Sequence, residues 1–396
     1  MILHLLKLVW NRKRANALIV AEMFVSFLVI FAVLTAAVSI SGGWSRPIGF
    51  DWHDVWDVSM EFDIDGGTKA SPELHASVMR MLDEVKRFPQ VSAAAVSNTP
   101  PYAFSTTEGT RRINGKDVTM TIDDVTDGFA DVMHVKVVRG RWFNEEDEVS
   151  RDIPVVVDTN FAKEVYGDAD PIGQKMEEDE NLFLRIVGVI EPFRKDGEVS
   201  APMNMMFRHV AHNASHGRLG SHILVRLHPG TNPLFENELA TRLRQVAPDM
   251  SFTVRHMDGM RTNALRARLY PLIAGGVVGL FLIGMVALGL TGVLWQNVTR
   301  RTREIGLRRA MGASGAHVHR QILAEVALLA TIALLIGSIL VWQLPILGAF
   351  SIVSPASFTA GFLGALATIY ALTVLCGLYP SWLASRLQPA DALRYE

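Results

Sequence analysis

The chain has 396 residues, 49% of them hydrophobic and 20% charged, with a formal net charge of −2 and one cysteine, Cys376. A single cysteine excludes an internal disulfide and a cysteine-ligated metal cluster. The basic residues lie beside apolar runs rather than on one soluble face, which argues against nucleic-acid binding.

The charges are segregated. Residues 41–270 carry a net charge of −9 and the remainder +7, the asymmetry of a membrane protein with basic cytoplasmic edges. Residues 1–16 hold Lys7, Arg12, Lys13 and Arg14 and precede an apolar run over 17–40 with one acid, Glu22. A helix needs roughly 20 apolar residues to cross a hydrocarbon core of about 30 Å. This run also exceeds the roughly 7–15 residues of a signal-peptide core, so it is predicted to be a retained first span.

Residues 41–270 are predicted to form one extracytoplasmic mixed α/β domain. Val55–Phe62 alternates as a strand, Glu73–Phe88 has Val78, Met81, Leu82 and Val85 at helical spacing, and Val91–Ser97 is a second strand. The same pattern returns as strand His222–Leu227, helix Pro233–Val246 with Leu234, Leu239 and Leu243 inward, and strand Phe252–His256. Two strand–helix–strand units predict one split α/β subdomain over 50–101 and 220–258. A strand-rich subdomain is inserted over 102–206, with strands Asp152–Asp158 and Phe183–Ile190 and a core of Trp142, Phe143, Phe161 and Tyr166.

The acidic run Glu177–Glu180 reads as a solvated turn. Met203, Met205, Met206, His209, His212, His216 and His222 form a Met/His-rich stretch whose sulfur and imidazole donors would suit copper. Pro202, Asn204 and Gly217 make it read instead as an exposed loop with solvated histidines, so no metal site is assigned.

A second span is predicted over 271–295. Gly275, Gly276, Gly279 and Gly284 give it a small-residue stripe, with Gly276 and Gly279 near one face. Such stripes permit close helix approach, here to the first span or to a second copy. Residues 296–325 carry Arg300, Arg301, Arg303, Arg308, Arg309 and Arg320. A third span over 326–350, an uncharged outer loop over 351–357, a fourth span over 358–383 and a tail over 384–396 with Arg386 and Arg394 complete the chain. Lys and Arg near the span ends place both termini and 296–325 in the cytoplasm and 41–270 outside. Glu22 and Glu325 sit near cytoplasmic span ends and are predicted to snorkel toward Arg14 and Arg320 rather than to relay protons. No nucleophile–base spacing appears, so no catalytic residue is assigned.

The segment Thr302, Arg303, Glu304, Ile305, Gly306, Leu307, Arg308, Arg309, Ala310, Met311 and Gly312 reads as a short amphipathic helix with apolar residues among arginines, closed by its last glycine. Composition alone allows a basic helix resting on anionic lipid headgroups or a docking helix for a soluble partner. The segment resembles the cytoplasmic coupling helix of the MacB/FtsX-like ABC transporter permeases. Other stretches are similar to family patterns in the same order: Arg139–Asp147 (RGRWFNEED), Asp170–Lys175 (DPIGQK), Leu184–Ile190 and the closing Leu378–Leu393.

The resemblance implies a four-span permease of the bacterial inner membrane with a porter-like split subdomain. It implies residues 302–309, 311 and 312 as the docking surface for a cytoplasmic ABC ATPase, and pairing with a second permease. ATP and Mg would be handled by that ATPase, and no cofactor by this chain. The family's mode of action is mechanotransmission, in which ATPase closure moves the outside domains; an adaptor and an outer-membrane channel enter only where the cell has two membranes. No Gly-x-x-x-x-Gly-Lys-Ser/Thr phosphate loop occurs in the sequence, so the ATPase is expected on a separate chain. The same pattern admits lipoprotein-releasing permeases and FtsX-like regulators of a cell-wall hydrolase.

Overall fold

The computed structural model describes residues 13–62, 71–179, 182–200, 203–212, 218–300, 307, 311, 314–347 and 353–385. The chain divides into two compact units. A membrane unit comprises Met1–Gly42 and Leu269–Glu396, and a central unit comprises Gly43–Arg268.

The central unit is built on an eleven-stranded sheet: β1 Val55–Glu61, β2 Val91–Ser97, β3 Glu108–Ile113, β4 Lys116–Val125, β5 Val137–Gly140, β6 Ile153–Asp158, β7 Lys175–Asp179, β8 Leu182–Ile190, β9 Met205–His209, β10 His222–Leu227 and β11 Ser251–His256. The order is β11-β1-β10-β2-β4-β9-β6-β8-β5, with β3 on β4 and β7 on β8. The two strand–helix–strand units interlock: β10 lies between β1 and β2, and β1 lies between β10 and β11, all antiparallel. Helices α2 (Pro72–Lys86) and α5 (Phe235–Val246) cover this half. Val78, Met81, Leu82, Val85, Leu239 and Leu243 pack with Trp56, Val58 and Val225 in one core. Ser71 caps α2 by accepting from Leu74 N at 3.2 Å, with Pro72 at the first helical position, where its missing N–H costs nothing.

The inserted half does not form a separate sheet. It continues the same one through a single paired position, Ser97 opposite Val125. Its strands mix parallel pairs (β4 with β9, β6 with β8) and an antiparallel pair (β6 with β9). Helices α3 (Phe129–Met133) and α4 (Thr159–Tyr166) lie in this half. Phe129, Phe143, Phe207 and Phe193 fill a core on one side, and Phe161, Ile153, Leu184 and Met206 fill another. Trp142 and Tyr166 are partly buried against these cores. The β3–β4 hairpin turns at Asn114-Gly115, both with positive φ (51° and 79°), the combination a tight two-residue turn requires.

Three local expectations are corrected. Leu234 is exposed and Phe235 takes the buried position, because α5 begins two residues later than predicted and Leu234 is its N-cap. Met205–His209 is not an exposed loop but the fully buried strand β9 between β4 and β6; His216 lies outside the described residues. Glu177 and Glu178 belong to strand β7 rather than a solvated turn, and Glu178 accepts from Arg111, Arg208 and Arg218. In the last two cases pairing with a distant strand overrode a local polar or loop-like composition.

Among the described residues, four helices are long and apolar enough to cross a bilayer. They belong to α1 (Lys13–Trp44), α6 (Met257–Arg300), α7 (Gly315–Gln343) and α8 (Pro355–Ser385). The third runs from Gly315 to Gln343 and includes residues 326–343 of the predicted span. Ser314 caps its start, accepting from His317 N, and Pro345 follows its end, where a ring without an N–H cannot extend the ladder.

The first span lies at the heart of the membrane unit. Ile19, Met23, Phe27, Ile30 and Phe31 share one cluster with Val286 and Leu290 of α6, Ala330 and Leu334 of α7, and Ala365 and Ile369 of α8. Glycines on the other three helices make room for it. A Cβ on Gly337 would sit 2.5 Å from Phe27, on Gly364 3.1 Å from Leu34, and on Gly275 3.1 Å from Val33.

Candidate functional site

The sequence pointed first to residues 302–312. Thr302, Arg303, Glu304, Ile305, Gly306, Arg308, Arg309 and Gly312 lie outside the described residues. Leu307 and Met311 are described. Met311 N donates to Leu307 O at 3.0 Å, and the two side chains are 54% and 74% exposed. This hydrogen bond brings two large, exposed apolar residues close together. His317 and His319 follow in the first turns of α7; between them Val318 is buried against Val298 and Ile322.

The glycine stripe of α6 faces α1 through Gly275 and Gly279, whose added Cβ atoms would lie 3.1 Å from Val33 and 3.8 Å from Val29. Gly276 faces open space, with nothing within 4 Å of such a Cβ. The helical repeat explains the choice: positions 275 and 279 are nearly one turn apart and stack on one face. Further along, Gly289 faces the Glu22 carboxylate, 2.9 Å from its would-be Cβ. Gln321 donates to Glu325 at 3.5 Å.

The structure adds a site that the sequence reading missed. The loop Pro192–Ser200 follows β8 and contains a short 3-10 turn, Gly197–Val199. Arg194 is buried there and donates to the carbonyls of Gly43 at 2.7 Å and Glu198 at 2.8 Å, and to that of Ser200. Gly43 is the penultimate residue of α1. On the other side Arg261 pairs with Glu198 at 2.7 Å and Arg268 pairs with Asp196; both arginines belong to the first turns of α6. One loop is thus bound by the last turn of α1 and the first turns of α6.

Its interior is tightly specified. Lys195 is buried and donates to Ala103 O at 3.2 Å, to Ser105 O and to Thr106 Oγ1 at 3.1 Å. Burial pushes the Lys195 ammonium below its ordinary range, and the carboxylates of Asp196 and Asp123 oppose that shift. Burial likewise lowers the Arg194 guanidinium, with Arg46 adding repulsion. Gly197 has φ +76° and faces the Tyr102 ring so closely that a Cβ would strike it. Only glycine meets both demands.

A signal for this joint was present in the sequence. Arg261, Arg266 and Arg268 cluster where the central unit leads into the second apolar stretch, the end the sequence reading predicts to be outside, where basic residues are unusual. Arg261 and Arg268 are spent on partners within the central unit.

In the inserted half, Arg141 grips Asp147 with both terminal nitrogens, at 2.6 and 2.9 Å. Asp147 also accepts from Asn144 N at 3.1 Å, closing the cap of the 3-10 turn Glu145–Val149. The RGRWFNEED stretch is therefore a self-bracing turn. Trp142 Nε1 ties it to Asp127 O at 2.9 Å.

Comparison with known proteins gives consistent results. Residues 25–242 match the profile of the MacB-like periplasmic core domain, and residues 276–389 match that of the FtsX-like permease C-terminal region. A macrolide export ATP-binding/permease protein MacB from Shewanella sp. is 28% identical over 346 residues, covering 83% of this chain and 50% of that protein. The corresponding protein of Bordetella avium is 27% identical over 320 residues, covering 75% and 47%. The chain spans about half the length of these relatives. Among solved structures, the periplasmic region of MacB from Actinobacillus actinomycetemcomitans superposes with a TM-score of 0.40 at 12% identity, covering 56% of this chain and 97% of that one. The extracellular domain of the transporter YknZ from Gram-positive bacteria superposes at 0.36 and 15%, covering 50% and 99%.

Proposed function

The chain belongs to the MacB-like family of ABC transporter permeases, and from that premise we propose that it couples ATP hydrolysis by a cytoplasmic ATPase to export or efflux carried out on the extracytoplasmic side. In this reading the chain is a non-catalytic subunit. ATP and Mg2+ are bound by the ATPase partner, both termini of the permease are cytoplasmic in a bacterial inner membrane, and two permeases pair.

The observation that carries the proposal is the joint at Pro192–Ser200. Helices α1 and α6 each contain a membrane-length apolar segment and each end or begin in hydrogen bonds to that loop. Packed, hydrogen-bonded elements switch between arrangements rather than deform continuously. A shift of either helix would therefore be felt first at Arg194 or at the Arg261–Glu198 and Arg268–Asp196 pairs, and through β8 by the sheet. On the cytoplasmic side the ATPase would seat on residues 302–312, with Leu307 and Met311 as the apolar contact and Arg303, Glu304, Arg308 and Arg309 as charged partners. An adaptor and an outer-membrane channel would complete the path in a two-membrane cell.

The test uses the chain in its native membranes. It should co-purify with an ATP-binding protein, and Glu304→Lys or Arg308→Glu should abolish both that association and export. Arg268→Glu should keep the ATPase bound but uncouple hydrolysis from export. If the charge-reversed chains hold the ATPase and export normally, the docking assignment fails.

A further inference from the structure

The Met/His-rich stretch has a use that transport does not absorb. Strand β9 runs parallel to β4 with His209 opposite Val125, which brings His209 beside Asp127, two residues beyond the end of β4. The 3-10 turn Glu145–Val149, braced by the Arg141–Asp147 pair, brings Glu148 to the same place. One ligand atom from each of Asp127, Glu148 and His209 lies within 4.8 Å of the other two.

Two observations separate this cluster from a chance meeting of surface acids. His209 is 1% exposed, its ring 5.2 Å from that of Phe143. Its Nε2 lies 2.6 Å from Asp127 Oδ1, while Nδ1 is buried without a hydrogen-bond partner. Nε2 is therefore the nitrogen turned toward the carboxylates, and burial of the ring holds it in that orientation. Secondly, the Glu148 carboxylate is aimed from outside the cluster: His212 N donates to both of its oxygens, at 2.8 and 3.0 Å. Outer partners of this kind orient metal ligands.

We infer that Asp127, Glu148 and His209 bind one divalent cation of the zinc type. One imidazole nitrogen and two carboxylates match that ion's donor preferences, with water at the remaining position. The ion would neutralise two carboxylates held at close range and tie the braced turn to the ends of β4 and β9. Met205 and Met206 do not offer their sulfurs to copper here, because both are buried in apolar clusters. Asp127 remains partly exposed and gives the ion access from solvent. The inference does not depend on the transport reading.

The test measures metal content on the full chain in detergent, stripped with chelator and dialysed against zinc chloride. The wild-type chain should retain one zinc per chain. Asp127→Asn and Glu148→Gln should each weaken zinc binding at least tenfold in competition with a chromophoric chelator. Glu146→Gln, on the same turn but outside the set, should leave affinity unchanged. Thermal unfolding of the metal-free proteins checks that the carboxylate variants are folded, and added zinc should raise the unfolding temperature of wild type but not of either. Absence of stoichiometric zinc on wild type, or unchanged affinity in both carboxylate variants because exposed histidines hold the metal, would overturn the assignment.

Discussion

Arg194 donates to the carbonyl of Gly43 at 2.7 Å across 151 residues of sequence. The last carbonyls of a helix have no partner within it, and here a guanidinium from a distant loop supplies one. A side chain at position 43 would prevent this, since a Cβ would lie 2.6 Å from Glu198 O. Arg194→Met should leave the carbonyls of Glu198 and Ser200 without this donor and Gly43 O with the Arg46 N–H at 3.2 Å, and destabilise the central unit by about 3 kcal/mol. Arg194→Lys should recover only part of this, because one ammonium cannot span the fork. Thermal unfolding of the purified chain distinguishes these outcomes, and wild-type stability in Arg194→Met would show that the loop stands without its arginine.

Helix contacts in the membrane unit should respond selectively to added methyl groups. Gly337→Ala places a Cβ 2.5 Å from Phe27 Cδ1, and Phe27 is hemmed in by Phe31 and Phe362. The cost is expected to be about 1–3 kcal/mol. Gly276→Ala meets nothing within 4 Å and should be neutral within about 0.5 kcal/mol. Unfolding in mixed micelles titrated with SDS measures both.

Glu178 opposes three guanidiniums with a side chain only 10% exposed. Glu178→Gln should leave Arg208 and Arg218 with Asp124 as countercharge and Arg111 with the carbonyl of Glu177. Removing one partner of a buried ionic group typically costs about 3–5 kcal/mol. Shared exposure of the arginines places this case near the lower figure, a drop of roughly 6–12 °C in Tm for a unit of this size. Calorimetry on the detergent-solubilised chain gives the value.

Asp123 should make stability depend on pH. Its carboxyl is fully buried, and burial pushes its pKa up to about 6 from 3.8, against the donors Ser97 Oγ, Asn98 N and Thr99 N. A raised folded-state pKa means the folded chain holds the proton more tightly than the unfolded one. Its stabilising contribution is complete below about 3.8 and lost as pH rises through about 6, by at most about 3 kcal/mol. Asp158, at the N-cap of α4, is raised to about 6 by burial and adds to the same window. Asp123→Asn should therefore flatten, but not abolish, the fall in Tm between pH 4 and 6.5. An unchanged slope would mean that Asp123 does not titrate there.

Much of the fold was legible in local patterns. Helix α2 presents Val78, Met81, Leu82 and Val85 to the core as its spacing predicts, and Val91–Ser97 and His222–Leu227 are strands over the predicted residues. Local composition misled where a polar or loop-like stretch was recruited by distant strands. Met205–His209 reads as a loop from its neighbours Pro202 and Asn204, yet β4 and β6 close over it from both sides. Glu178 reads as solvated because its three arginines lie 30 to 67 residues away.

The sequence by itself determined that four apolar stretches cross a bilayer and that an acidic α/β unit is carried between the first two. Hydropathy and periodicity are local properties, set by whether each residue faces lipid, water or core. Only the tertiary structure decided that the two strand–helix–strand units interlock in one sheet, that the first span sits among the other three, and that Arg194, Arg261 and Arg268 converge on one loop. Those relations join residues far apart in the chain. They arise because buried carbonyls and charges must find partners wherever the packed fold offers them, a condition no single stretch of sequence expresses.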